Sequence, residues 1–180
     1  MWSDFKKDLA RLIAKKRVVL MGVGNPGCGD DAFGPLLADR LGSFGDFWAM
    51  NCEELPENYT GAVKEHHPDV VLIADAVNFG GDPGQVMLSS SAALRNDHLQ
   101  TADGSGCRLI SSHKPSLKLV MDYLSIETSA NVVLLGVQPC SLHYGHKPTT
   151  TILQTIVDLE HLINRIRLKP DLSHLLIQEG

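Results

Sequence analysis

The strongest constraint on the fold is a recurring alternation of two patterns. Arg17-Val18-Val19-Leu20-Met21, Asp69-Val70-Val71-Leu72-Ile73-Ala74-Asp75 and Asn131-Val132-Val133-Leu134-Leu135-Gly136-Val137 are short, nearly continuous apolar runs rich in β-branched residues. Runs of this length bounded by turn residues read as strands buried on both faces. Phe47 to Asn51 and Gln85 to Leu88 read as two shorter strands. Between the runs the period changes. Phe33, Leu36, Leu37 and Leu41 share a helical face, as do Leu117, Val120, Met121 and Leu124, and Ile152, Ile156, Leu159, Ile163 and Ile166. Tyr59 to His67 reads as a further helix, and Trp2, Phe5, Leu9, Leu12 and Ile13 place an amphipathic one at the start of the chain. Strand followed by helix, repeated, demands crossover connections and hence a parallel sheet with helices on both faces. The expected fold is therefore a single-domain α/β protein, a three-layer α/β/α sandwich over residues 1–180, with a mainly parallel twisted sheet of about five strands.

The chain is 180 residues long, enough for one domain with a substantial core. With 43% hydrophobic and 21% charged residues it lies in the ordinary globular range. Sixteen Lys and Arg stand against 21 Asp and Glu, a formal charge of −5. That leaves no basic surplus for a phosphate backbone, so nucleic acid is not an expected partner. Four cysteines, Cys28, Cys52, Cys107 and Cys140, form no C-x-x-C pair and no zinc-type spacing, as expected of a reducing cytoplasm. The acidic residues near the start do not fit a signal peptide, and no apolar run approaches the length of a membrane span.

In open α/β sheets ligands collect beyond the carboxyl ends of the strands. Three such places are chemically loaded: Gly29-Asp30-Asp31 after the first strand, Asp75 at the end of the 69–75 run, and His113 before the helix of Leu117. Each has an ordinary reading. An aspartate at a helix start often caps it, a strand-end aspartate often bonds turn amides, and His113 can be a surface residue. If one of Asp30 and Asp31 caps, the other is a crowded second carboxylate, better explained by a cation or a proton. Two carboxylates and an imidazole converging at one sheet edge form an open O,O,N site for a divalent transition metal.

Gly22-x-Gly24-x-x-Gly27 after a strand matches a dinucleotide fingerprint in letters only. Asp30 and Asp31 would repel a pyrophosphate, Pro26 removes an amide, and no acidic residue stands at a strand end about 20 positions on, Glu53 and Glu54 coming later, so a nicotinamide or flavin dinucleotide is not expected. His66 and His67 complement a helix end. His143 and His146, with Tyr144 and Gly145 in the loop after Gln138-Pro139-Cys140, stand near enough to a strand end for substrate contact. Cys52, Cys107 and Cys140 read as packing residues or incidental thiols.

The string Gly22-Val23-Gly24-Asn25-Pro26-Gly27-Cys28-Gly29-Asp30-Asp31-Ala32-Phe33-Gly34 resembles the opening signature of the hydrogenase maturation proteases. Leu55-Pro56-Glu57-Asn58, Asp75 followed by Gly80-Gly81-Asp82-Pro83-Gly84, and Ser111-Ser112-His113 resemble later blocks of the family in order and spacing, over roughly residues 17 to 166. The Pro-Glu-Asn block is most similar to the type serving the hydrogenase of formate hydrogenlyase. Residues 1–16 are a helical extension relative to compact members. The family often carries Glu at the position of Asp31 and Gly at that of Ala32.

The resemblance implies an endopeptidase that makes a single cut and releases a C-terminal extension from the precursor of a nickel-iron hydrogenase large subunit, once nickel has been inserted. It also implies that Asp31, Asp75 and His113 are the metal-binding and catalytic residues. Nickel is then supplied by the precursor and completes its coordination on the enzyme, and other divalent transition metals can occupy the same ligands. Two other functions fit parts of the pattern. The glycine-rich opening also resembles that of bacterial peptidyl-tRNA hydrolases, although Gly29-Asp30-Asp31-Ala32-Phe33 stands where that family has Tyr and a run with its catalytic histidine. A non-catalytic metal-binding chaperone of the hydrogenase subunit would use the same three ligands.

Overall fold

A computed structural model describes residues 2–90, 110–111 and 114–168. Helix α1 (Trp2–Ile13) leads into strand β1 (Val18–Val23), a 3-10 turn (Gly29–Ala32) and α2 (Phe33–Leu41). Then come β2 (Phe47–Glu53), a 3-10 turn (Pro56–Tyr59), α3 (Thr60–Glu65), β3 (Val70–Asn78) and β4 (Val86–Ser90). The two-residue β5 (Ile110–Ser111), α4 (Lys114–Glu127), β6 (Asn131–Val137) and α5 (Thr150–Leu168) complete the order.

The main sheet runs β2-β1-β3-β6-β4, parallel throughout except for β4, which is antiparallel to β6. β5 pairs antiparallel with the end of β3, Val77 with Ser111 and Asn78 with Ile110. Alternate residues of each strand serve opposite cores. Val18 and Leu20 of β1, with Leu72 and Ala74 of β3, pack under α1, α2 and α5. Val19, Met21 and Val23, with Val71, Ile73 and Val77, pack under α3 and α4. These are the three expected layers, and α1 joins the first of them through buried Phe5, Leu9, Ala10 and Ile13.

The structure moves several boundaries. The expected helix at Tyr59 to His67 is shorter, because Pro56 opens a 3-10 turn that takes up Tyr59 before α3 begins. The strand at Phe47 continues to Glu53, since its ladder with β1 runs on to Val23. Ser89 and Ser90, expected in a loop, lie in β4 and pair with Leu134 and Val133. The remainder of the loop expected at Ser89 to Gly106 lies outside the described residues.

Two glycines let the layers close at the point where β1 ends. A methyl group on Gly34, near the start of α2, would come within 2.3 Å of the carbonyl oxygens of both Ala74 and Val23. On Gly22 it would come within 2.1 Å of the Gly34 carbonyl oxygen. Only bare backbone fits there, and it sets the start of α2 directly on the end of β1 and the middle of β3.

Candidate active site

The turn between β1 and α2 spends its own hydrogen-bonding groups on holding its shape. Gly24 N–H donates to Glu53 O, Asn25 N–H to Asp31 Oδ2 at 2.7 Å, and Gly27 N–H to Asn25 Oδ1 at 2.8 Å. Cys28 N–H reaches Asn25 O, Gly29 N–H reaches His146 O, Asp30 N–H reaches Ser141 O, and Asp31 N–H reaches Cys28 O. Pro26 has no amide. Every N–H from Gly24 to Asp31 thus has an acceptor within the protein, whereas a phosphate cradle presents such groups to its ligand. The glycine pattern serves close packing instead. Gly24 has φ +136°, and a methyl group on it would lie 1.9 Å from the carbonyl oxygen of Asp31.

The two adjacent aspartates have different tasks, and neither caps the helix it precedes: no side-chain cap is made at the start of the 3-10 turn or of α2. Asp30 is fully buried and reaches across the molecule. Its Oδ2 accepts from the N–H of Cys140 at 2.8 Å and of Ser141 at 3.0 Å, and its Oδ1 from the N–H of Thr149 at 2.7 Å. Thr149 caps α5 in turn, its Oγ1 accepting from Ile152 N–H at 3.4 Å. Asp30 therefore does from another segment what the acidic residue of a capping box does from its own helix. Asp31, 2% exposed, directs its Oδ2 at Asn25 N–H.

Asp75 lies one residue past Ala74, the last β3 residue paired with β1, and opposite Gly136 of β6. It is fully buried. Its Oδ1 accepts no hydrogen bond, while the residue has another interaction in the fold. The 3-10 turn of Asp31 rests against β3. The structure thus sets the turn that carries Asp31 against β3, the strand that carries Asp75 three residues before its end, so the strand expected to stop at Asp75 runs on to Asn78. Two carboxylates withdrawn from water there are costly without compensation, and a cation would relieve that cost. His113 lies outside the described residues. The chain on either side of it is placed: Ser111 pairs with Val77, two residues beyond Asp75, and Lys114 begins α4. Among the described residues no cluster of three or more His, Cys, Asp or Glu side chains forms a ready-made metal site.

Cys28 directly precedes the 3-10 turn of Asp31. Its thiol is pushed up by desolvation, and further by the carboxylates of Asp31 and Glu54, so it stays protonated near neutral pH. That is the wrong direction for a thiolate nucleophile. Two structural roles were not legible in the sequence. Asp30 bonds to residues more than a hundred positions away, which no local pattern reveals. Gln138, the first residue after β6, is buried; its Oε1 accepts from Phe79 and Gly81 N–H, and its Nε2 donates to Asn78 Oδ1. It fixes the turn that follows β3, and its only signal was a polar residue directly after an apolar run.

A doubly flanked, mainly parallel sheet with two buried carboxylates, one in the turn after β1 and one in β3, defines an α/β protein with a candidate polar site. Sequence and structure comparisons specify the class. A sequence model described as hydrogenase maturation protease matches residues 50–166, and the chain belongs to that family. It is 29% identical over 140 residues to the hydrogenase 3 maturation protease of Escherichia coli K12, covering 77% of this chain and 83% of the relative. The solved structure of a [NiFe] hydrogenase maturation protease from Thermococcus kodakarensis superposes with a TM-score of 0.74 at 34% identity, covering 88% of this chain and 97% of that one. The solution structure of an endopeptidase from Escherichia coli gives 0.63 at 27% identity, with 80% and 86% covered. The protein is accordingly a protease, and hence a hydrolase.

Proposed function

We propose that the protein cuts a C-terminal extension from the precursor of a nickel-iron hydrogenase large subunit, and that it recognises nickel already seated in that precursor through Asp31, Asp75 and His113. The observation that supports this reading is that Asp31 and Asp75 are both buried, one in the turn after β1 and the other in β3, against which that turn rests. Family membership supports the reaction class, and the names of the relatives support a hydrogenase as substrate.

Nickel in this account belongs to the substrate. Thiolates of the precursor hold it on one side, and the oxygens of Asp31 and Asp75 with a nitrogen of His113 complete its coordination on the other. The bound metal then acts as a register mark that holds one peptide bond against the enzyme, converting encounter into a defined geometry. Hydrolysis adds water across that bond, breaking the C–N bond and passing a proton to the departing amine. The free thiols of Cys28, Cys52 and Cys140 support a reducing, cytoplasmic setting, and no described helix is long and apolar enough to cross a membrane.

Asp75→Asn tests the assignment, because it keeps the side-chain shape and removes a charged oxygen. The expected result is a folded protein by circular dichroism and calorimetry, with processing of nickel-loaded precursor slowed by at least about 100-fold, the loss expected when several kcal/mol of metal interaction disappears. Full processing by the folded variant would remove Asp75 from the site.

A further inference from the structure

The segment between β6 and α5 combines two properties that rarely occur together. It is braced like a core element, yet it presents its side chains to solvent. Asp30 binds it through Cys140, Ser141 and Thr149. Three further backbone bonds lock it to the β1–α2 turn: Gly29 N–H to His146 O, Asp30 N–H to Ser141 O, and Gly145 N–H to Gly27 O. Its tip is a tight turn in which His146 N–H donates to His143 O and Gly145 takes φ +78°, a conformation that glycine adopts without strain. Gly29 has φ +58°, and a methyl group on it would meet Ser141 O at 2.6 Å, so the two segments touch backbone to backbone.

What this bracing displays contributes little to the core. Leu142, His143, Tyr144, His146 and Lys147 are exposed, and Tyr144 is 84% exposed with its ring beside Gly27, where an added methyl group would stand 3.6 Å away. The imidazoles of His143 and His146 lie 5.4 Å apart between centroids. From Pro139 to Thr149 there is no Asp or Glu, in a protein whose formal charge is −5. A rigid, exposed aromatic with a cationic neighbour is the chemistry of a recognition surface, since little ordering entropy remains to be lost on binding.

We infer that Tyr144 and Lys147, on this braced loop, dock an acidic and apolar segment of the hydrogenase precursor beside the turn that carries Asp31, and so select the substrate before the cut. The occupant follows from the position of the loop, continuous with the candidate active site, and from its local charge, opposite to that of the molecule as a whole. The inference rests on the proposed function for the identity of the partner. Tyr144 and Lys147 are specificity residues in this account and take no part in the chemistry.

The test uses the full chain and nickel-loaded precursor, with binding measured by titration and cutting measured separately under steady-state conditions. Tyr144→Ala combined with Lys147→Glu should weaken precursor binding and raise KM by about tenfold or more, with kcat within about threefold and the melting temperature unchanged. Tyr144→Phe should bind nearly as the wild type does. Equal binding by the double variant and the wild type overturns the docking surface, as does a loss confined to kcat. If the wild type binds the precursor without cutting it, the proposed function fails, while weaker binding by the double variant still upholds the docking surface.

Discussion

At the scale of single residues, the cysteines show how environment separates chemically identical groups. Cys52 is buried against the α3 and α4 core, and desolvation pushes its thiol up to about 12. Cys28 is raised by desolvation and by the neighbouring carboxylates of Asp31 and Glu54. Cys140 is exposed. Since the thiolate is the reactive form, alkylation of the folded protein at pH 8 should, among the three described cysteines, label Cys140 first, Cys28 more slowly, and Cys52 only on unfolding. Peptide mapping after timed iodoacetamide treatment checks the order. Rapid labelling of Cys28, with loss of processing in step, would reinstate a thiol nucleophile and displace the carboxylate site. The aspartates make the same point about context. Asp31 and Asp75 were legible as candidates because each stands after or at the end of a buried apolar run, and both are buried in the fold. The division of labour between Asp30 and Asp31 was not legible, because the partners of Asp30 come from Cys140 to Thr149 and nothing local marks them.

At the scale of elements, the strands were readable because burial on both faces leaves continuous apolar runs. Boundaries were less so where a local turn intervened, as the 3-10 turn opened by Pro56, or where ladder pairing extended a strand, as at Ser89-Ser90. The antiparallel direction of β4 was also hidden, since alternation alone does not set strand polarity. The most consequential element-level contact is the bond set of Asp30, which joins the β1–α2 turn to the start of α5. Asp30→Asn would keep one oxygen and turn an amide NH2 toward backbone donors, leaving at least one of the three N–H groups that Asp30 holds without its acceptor. The expected cost is about 3 kcal/mol, or a drop of about 6–12 °C in melting temperature for a domain of this size. Hydrogen exchange should show faster exchange at Cys140, Ser141 and Thr149, while the amides of β1 and β3 remain protected. Unchanged stability and unchanged exchange at those three amides would show that the loop is held by its backbone bonds alone.

At the scale of the whole molecule, the architecture explains why a family with this fold can put a demanding site on a small protein. Bare backbone at Gly22 and Gly34 lets α2 pack closely on β1 and β3, the Asn25 amide of the β1–α2 turn holds the Asp31 carboxylate, and β3 carries the buried Asp75. The layers and the mainly parallel sheet were legible from the alternation of patterns alone, while the nickel-dependent reaction was an implication of family resemblance. That reaction is the central claim. It requires that the metal arrive with the substrate, so that a competent site is assembled only when the correctly loaded precursor binds, and specificity follows from that assembly. The direct measurement is to purify the hydrogenase large-subunit precursor with and without nickel, add the enzyme to each, supply zinc to a further sample of the nickel-free form, and follow release of the C-terminal peptide by mass spectrometry. The account predicts release from the nickel-loaded precursor alone; equal release from the loaded and nickel-free forms, or no release from either, would contradict it.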